Sequence, residues 1–160
     1  MNGDLWALIG LLLLGAILVA AITPSATELA AMQTRVLPYP QEVIFEGALD
    51  YLQKAGYPIR NVERESGFIS SGYASQEQLL GSFIGILERA FIGERRFSVT
   101  ITIVPVSERA CRVTATLVAE EWVQRGWAGG YWRRDPRYFD RDDYNRFFRE
   151  LTNTIRRYAN

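Results

Sequence analysis

Residues 97–103 read Phe-Ser-Val-Thr-Ile-Thr-Ile, and residues 111–117 read Cys-Arg-Val-Thr-Ala-Thr-Leu. Both runs alternate strictly, with apolar side chains at every second position. Successive side chains of a strand point to opposite faces, so this period places Phe97, Val99, Ile101 and Ile103 on a core face. Pro105–Arg109 supplies the turn between the runs. The pair predicts an antiparallel hairpin with one buried face, and that hairpin decides the fold class.

On the C-terminal side, Tyr144, Phe147, Phe148, Leu151, Ile155 and Tyr158 recur at helical spacing, which predicts a helix over 142–158. Acids open this helix and Arg156-Arg157 close it, as the helix dipole favours. On the N-terminal side, Ser75 and Gln78 have capping-box spacing ahead of an apolar run, which predicts a helix from Ser75 to Ile92. Pro58–Glu63 and Phe68–Tyr73 read as a shorter hairpin around Glu65-Ser66-Gly67. Gln41–Ala55 reads as a helix, with Ile44, Ala48, Tyr51, Leu52 and Ala55 on one face and Gly56 as its stop. The order α-β-β-α-β-β-α predicts an α+β domain over 41–160, a four-stranded antiparallel sheet with helices packed on one face.

Residues 25–40 read as a connector, with a short helix capped by Ser25 and Glu28 and broken at Pro38-Tyr39-Pro40. Ahead of it, Leu5–Ile22 carries no charge. About 20 apolar residues span a bilayer core. Residues 1–24 are therefore expected to form a retained transmembrane helix. A cleaved signal peptide fits less well, since no Lys or Arg precedes the apolar run.

Composition removes several functions. The chain has 160 residues, net charge zero and no histidine. Without histidine, a Ser-His-Asp triad is excluded. The single cysteine, Cys111, excludes an internal disulfide or a cysteine-rich zinc site. No phosphate-binding or dinucleotide-binding glycine motif is present. Neutral charge argues against nucleic acid as a partner. Glu120 and Glu121 are strand neighbours and diverge to opposite faces, and Asp140, Asp142 and Asp143 read as helix-capping acids. The chain is expected to be non-catalytic, with no metal site and no cofactor.

Two segments carry binding potential. Trp122–Arg141 holds three of the four Trp, three further aromatics and five Arg. Trp, Tyr and Arg dominate interface hot spots, so Trp122, Trp127, Tyr131, Trp132, Arg133, Arg134 and Arg137 are candidate contacts for a protein partner or an anionic lipid surface. The other reading folds these aromatics back over the sheet edge, with Arg paired to nearby Asp. The second segment is the apolar run around Phe83, Ile84 and Leu87, which reads either as a core helix or as a surface for membrane or partner helices.

Two stretches carry a family resemblance. LQKAGYPIRNVERESGFISSGY (52–73) and DYNRFFRELTNTIRRY (143–158) resemble small bacterial cell-envelope domains of the BamC-like, helix-grip lipoprotein type, although no lipoprotein Cys is present. The resemblance implies a non-catalytic envelope protein that binds or scaffolds other proteins. Together with the apolar segment, it leads to the expectation of a single-pass accessory or assembly subunit. Such a subunit would sit in the bacterial inner membrane through Leu5–Ile22. Its domain would be extracytoplasmic and would dock on other membrane-complex subunits. The alternative is a stand-alone envelope domain that binds lipid or peptide.

Overall fold

The computed structural model describes residues 25–79, 94–127, 129–136 and 138–159. The chain divides into two units, Met1–Ala31 and Met32–Asn160. In the first, the Ser25 backbone N–H and hydroxyl donate to Glu28 while the Glu28 N–H donates to the Ser25 hydroxyl. This reciprocal pairing opens helix α1 (Ala26–Gln33).

The second unit is built on one antiparallel sheet. Its strands are β1 (Thr34–Leu37), β2 (Ile59–Glu63), β3 (Phe68–Ser71), β4 (Ala74–Ser75), β5 (Arg95–Ser107), β6 (Ala110–Gln124) and β7 (Gly130–Arg134). The order is β1-β6-β5-β3-β2, with β4 also on β5 and β7 also on β6. Helices α2 (Gln41–Lys54) and α3 (Arg141–Ile155) are the other regular elements among the described residues of this unit.

The fold is α+β, but the expected four-stranded sheet is overturned, because among the described residues the sheet already has seven strands. The extra ones are the four residues of β1, the two of β4 and the five of β7. None is long enough to display a period of two in sequence. β1 pairs with the free edge of β6 at Cys111–Thr114 and β4 with β5 at Arg96–Phe97, while β7 pairs with the part of β6 that runs beyond the alternating core, so each satisfies backbone groups along an otherwise open edge. The β5–β6 turn is correspondingly tighter than expected, with Pro105 inside β5 opposite Cys111 and a register shift before Ser107.

The expected element order fails for a related reason. Ala74–Ser75 is a strand where a helix was expected to begin. The Ser75 and Gln78 box bonds do form, at 2.7 and 3.3 Å, and Leu79 is buried. The rest of the expected 75–92 helix lies outside the described residues. So does the expected transmembrane segment Leu5–Ile22. Among the described residues no helix is long and apolar enough to cross a membrane.

The core follows the alternation. Phe97, Val99, Ile101 and Ile103 from β5 are at most 1% exposed, and Cys111, Val113 and Ala115 from β6 are fully buried beside them. Burying each larger side chain contributes about 1.5–3 kcal/mol, and a one-residue slip would turn the whole set outward. Helix α2 buries Ile44, Phe45, Ala48, Tyr51 and Leu52. It ends in a Schellman turn, with Tyr57 N–H on the Leu52 carbonyl at 3.0 Å and Gly56 N–H on the Gln53 carbonyl at 3.1 Å. Gly56 sits at φ 90°, where other residues are strained.

Helix α3 buries Tyr144, Phe147, Phe148, Leu151 and Ile155, while Tyr158 lies beyond its end and is exposed. Asp140 and Asp143 form a capping box at its start. The two helices meet closely: Tyr51 and Phe147 stack edge to face at 5.5 Å, and a Cβ at Gly47 would lie 2.7 Å from the Ile155 backbone.

β6 carries two separate partners on one edge. β1 pairs with Cys111–Thr114 and β7 with Glu120–Gln124. In the gap between them, the Leu117 N–H donates to the Tyr144 hydroxyl at 3.3 Å, and the same hydroxyl accepts from the Gln33 amide at 3.2 Å. A helix side chain thus stands in for the missing strand.

Candidate functional site

The first part of the Trp122–Arg141 segment is a hairpin arm. β6 runs on past the core residue Ala119 and pairs with β7, register Glu120↔Arg134 through Gln124↔Gly130. Trp122 lies opposite Trp132, with rings 5.4 Å apart in a T-shaped arrangement. Gly130 makes room for that pair, since a Cβ there would meet the Trp122 ring at 2.7 Å and the Val123 carbonyl at 2.5 Å. Arg125 N–H closes the tip on the Gly129 carbonyl at 2.8 Å. Gly126 and Gly129 have φ of 62° and 128°, which sharpens the turn. Trp127 stands at this tip with 106% relative exposure.

The base of the arm is locked by ion pairs that the register sorts onto two faces. On one face Arg96 lies between the rings of Tyr73 and Trp132, at 4.0 and 4.3 Å. It also donates to Glu120 from Nε at 2.7 Å, and Tyr73 O–H donates to the same carboxylate at 2.8 Å. Partial burial pushes the Glu120 carboxyl upward. The bonds from Arg96 and Tyr73 and the nearby guanidinium charges outweigh it and hold Glu120 below the usual carboxylate range. On the other face Arg133 pairs with Glu121. Buried Arg95 lies 3.9 Å from Glu121, 4.0 Å from Asp135 and 4.6 Å from the Tyr138 ring centre.

The structure thus divides the candidate residues. Trp122, Trp127 and Tyr131 are exposed, and Trp132 is half-buried beneath Arg96. Arg133 and Arg134 are exposed, with Arg133 tied to Glu121. Arg137 lies outside the described residues, as do Phe83, Ile84 and Leu87. Tyr138 and Phe139 turn inward and pack on Phe97, at 5.3 and 6.2 Å. The end of the segment thus folds back on the core, and Trp127 at its tip is exposed.

Sequence reasoning missed the partners of Arg95 and Arg96. The signal was present, since Arg95-Arg96 and Glu120-Glu121 are complementary doublets at the outer ends of the two alternating runs. Glu120 and Glu121 diverge as strand neighbours must, and each is engaged by arginine. Asp140 and Asp143 cap α3. Among the described residues, no cluster of three or more potential ligands is placed to hold a metal ion. Cys111 is buried, and its desolvation raises the thiol pKa, the opposite of an activated nucleophile.

No protein-family model and no curated protein matches this chain. Among solved structures it is similar to a DUF4468 family protein from Bacteroides ovatus, at 10% sequence identity and a TM-score of 0.40. That likeness covers 76% of this chain and 84% of the other.

Proposed function

We propose that this protein is a non-catalytic, membrane-attached accessory or assembly subunit whose β6–β7 arm docks on a larger membrane protein complex. The observation that carries the reading is Trp127: a fully exposed indole at the tip of a projecting, internally braced hairpin. Exposing a large aromatic ring is unfavourable in water, and burying it on a partner recovers about 1.5–3 kcal/mol. The ion pairs at the base of the arm support the same role, because they hold the tip in one geometry before contact, which lowers the ordering cost of binding. Tyr131 beside the tip and Arg134 at the base of the arm are both exposed and supply the aromatic and cationic contacts of an interface.

The uncharged sequence Leu5–Ile22 supports membrane attachment. The resemblance to envelope scaffolding domains supports an extracytoplasmic, bacterial inner-membrane setting. The absence of histidine and the commitment of Glu120 and Glu121 to arginine support a non-catalytic role.

The test is native mass in mild detergent. Full-length wild type and Trp127→Ala, tagged at the C terminus, are extracted from their own membranes. The expected result is a large, defined assembly for wild type and a small particle for the variant, with equal thermal stability. A monomeric wild type, or an assembly that survives Trp127→Ala, refutes docking through the arm. Blue-shifted Trp127 fluorescence on protein-free anionic vesicles, with a monomeric wild type, would instead favour the stand-alone lipid-binding alternative.

A further inference from the structure

The two outer strands of the sheet differ in how their edges are guarded. β2 exposes Arg60 and Glu63 and has a register shift between Ile59 and Asn61, both of which deter strand addition. β1, at the other end, pairs with β6 without a shift from Thr34↔Thr114 to Leu37↔Cys111. Val36 at its centre is 60% exposed. Among the described residues no strand lies on the outer side of β1.

Beside this edge, α3 forms the wall of a groove of about 510 Å³. The strand contributes Arg35, Val36 and Leu37, and the helix contributes Phe148, Arg149 and Arg156. Asn145, Asn153 and Thr152 add amides and a hydroxyl, and among the described residues no carboxylate is part of the lining. Arg35 is fixed in place: it donates to the Thr34 carbonyl and to Asn145, both at 2.7 Å, and lies over the Phe148 ring at 5.1 Å. Arg149 and Arg156 are exposed on the rim of the helix. A strand edge, an apolar floor and a cationic wall therefore run side by side.

We propose that this groove receives an acidic, extended peptide segment of a partner protein, added as a strand along β1 at Val36, with its carboxylates against Arg149 and Arg156. Strand addition in a groove between an edge strand and a helix combines backbone pairing for affinity with side-chain contacts for specificity. The charge of the lining selects an acidic segment, and the four residues of β1 limit the pairing to about 13 Å of extended chain. A bilayer surface has no backbone to offer the β1 edge, so a peptide answers both halves of the groove where lipid answers one. The site shares no residue with the β6–β7 arm and stands or falls separately from it.

The test uses two fluorescein-labelled, end-blocked peptides, one alternating Val and Glu and one alternating Val and Lys. Each is titrated by fluorescence anisotropy into the full chain in neutral detergent. The Val-Glu peptide is expected to bind, about tenfold or more tighter than the Val-Lys peptide at low salt. Arg149→Glu combined with Arg156→Glu is expected to abolish that preference, with unchanged circular dichroism, while Trp127→Ala leaves it intact. Hydrogen exchange at the Val36 amide region slows when the peptide is bound. Equal binding of the two peptides, indifference to the double variant, or unchanged exchange at Val36 overturns the proposal. So does binding that appears only on phosphatidylglycerol vesicles and needs the same two arginines, which would assign the groove to lipid headgroups.

Discussion

Replacing Tyr144 by Phe removes one oxygen atom and almost nothing else. The ring is 2% exposed and stays packed, so the hydrophobic contribution is retained. What is lost is the acceptor of the Leu117 N–H in the gap between β1 and β7. A buried donor left unsatisfied costs about 1–3 kcal/mol. The bond is long, at 3.3 Å, which places the expected loss at the lower end of that range. The half-buried Gln33 amide loses the same partner but retains access to water, so it adds little. A loss of about 1–2 kcal/mol corresponds to roughly 4–8 °C in a domain of this size. Urea denaturation of Tyr144→Phe, followed by circular dichroism, should show a lower midpoint with an unchanged slope. Native-state exchange should be selectively faster at the Leu117 amide. A midpoint within error of wild type, with Leu117 as protected as before, would show that the hydroxyl does not substitute for a strand.

Gly47→Ala places a methyl group 2.7 Å from the Ile155 backbone and side chain, so α2 and α3 must separate; the expected loss, read by the same denaturation, is about 1–3 kcal/mol. Glu120 has a folded pKa below its ordinary value, so its contribution to stability is present above the unfolded carboxylate range and is lost as pH falls through the folded value. Glu120→Gln should therefore be less stable than wild type at pH 7, and the gap should narrow steadily in urea midpoints measured from about pH 5 downward.

The central hairpin was legible because both of its strands alternate over seven residues, long enough for a period of two to be unmistakable. Helices α2 and α3 were legible for the same reason at their own period, with Gly56 and Asp140 marking ends that the structure places one residue from the expected bounds, while the far end of α3 falls three residues short of Tyr158. β1, β4 and β7 were not legible. Each is too short to show a period, and each is held by an edge that exists only once β5 and β6 are assembled. β7 was further disguised by Trp132, whose partner Arg96 lies 36 residues away in sequence, and by Arg133-Arg134, which read as candidate contacts although Arg133 pairs with Glu121 across the hairpin. The aromatic and cationic content of the arm was visible; that Tyr138 and Phe139 turn inward while Trp127 projects depends on tertiary packing against Phe97.

β6 is a single 15-residue strand that lies in the core at one end and reaches the arm at the other. It therefore works as a cantilever. At about 3.3 Å per residue, the stretch from Ala119 to the strand end at Gln124 is a beam of roughly 17 Å, and a tilt of about 10° at its root carries that end through about 3 Å. Arg96 clamped between Tyr73 and Trp132, and Arg95 beneath it, stiffen the root on both faces. The reach of the tip is thus governed at the clamp, and a load on Trp127 is delivered to the middle of the hydrophobic core rather than absorbed at the surface.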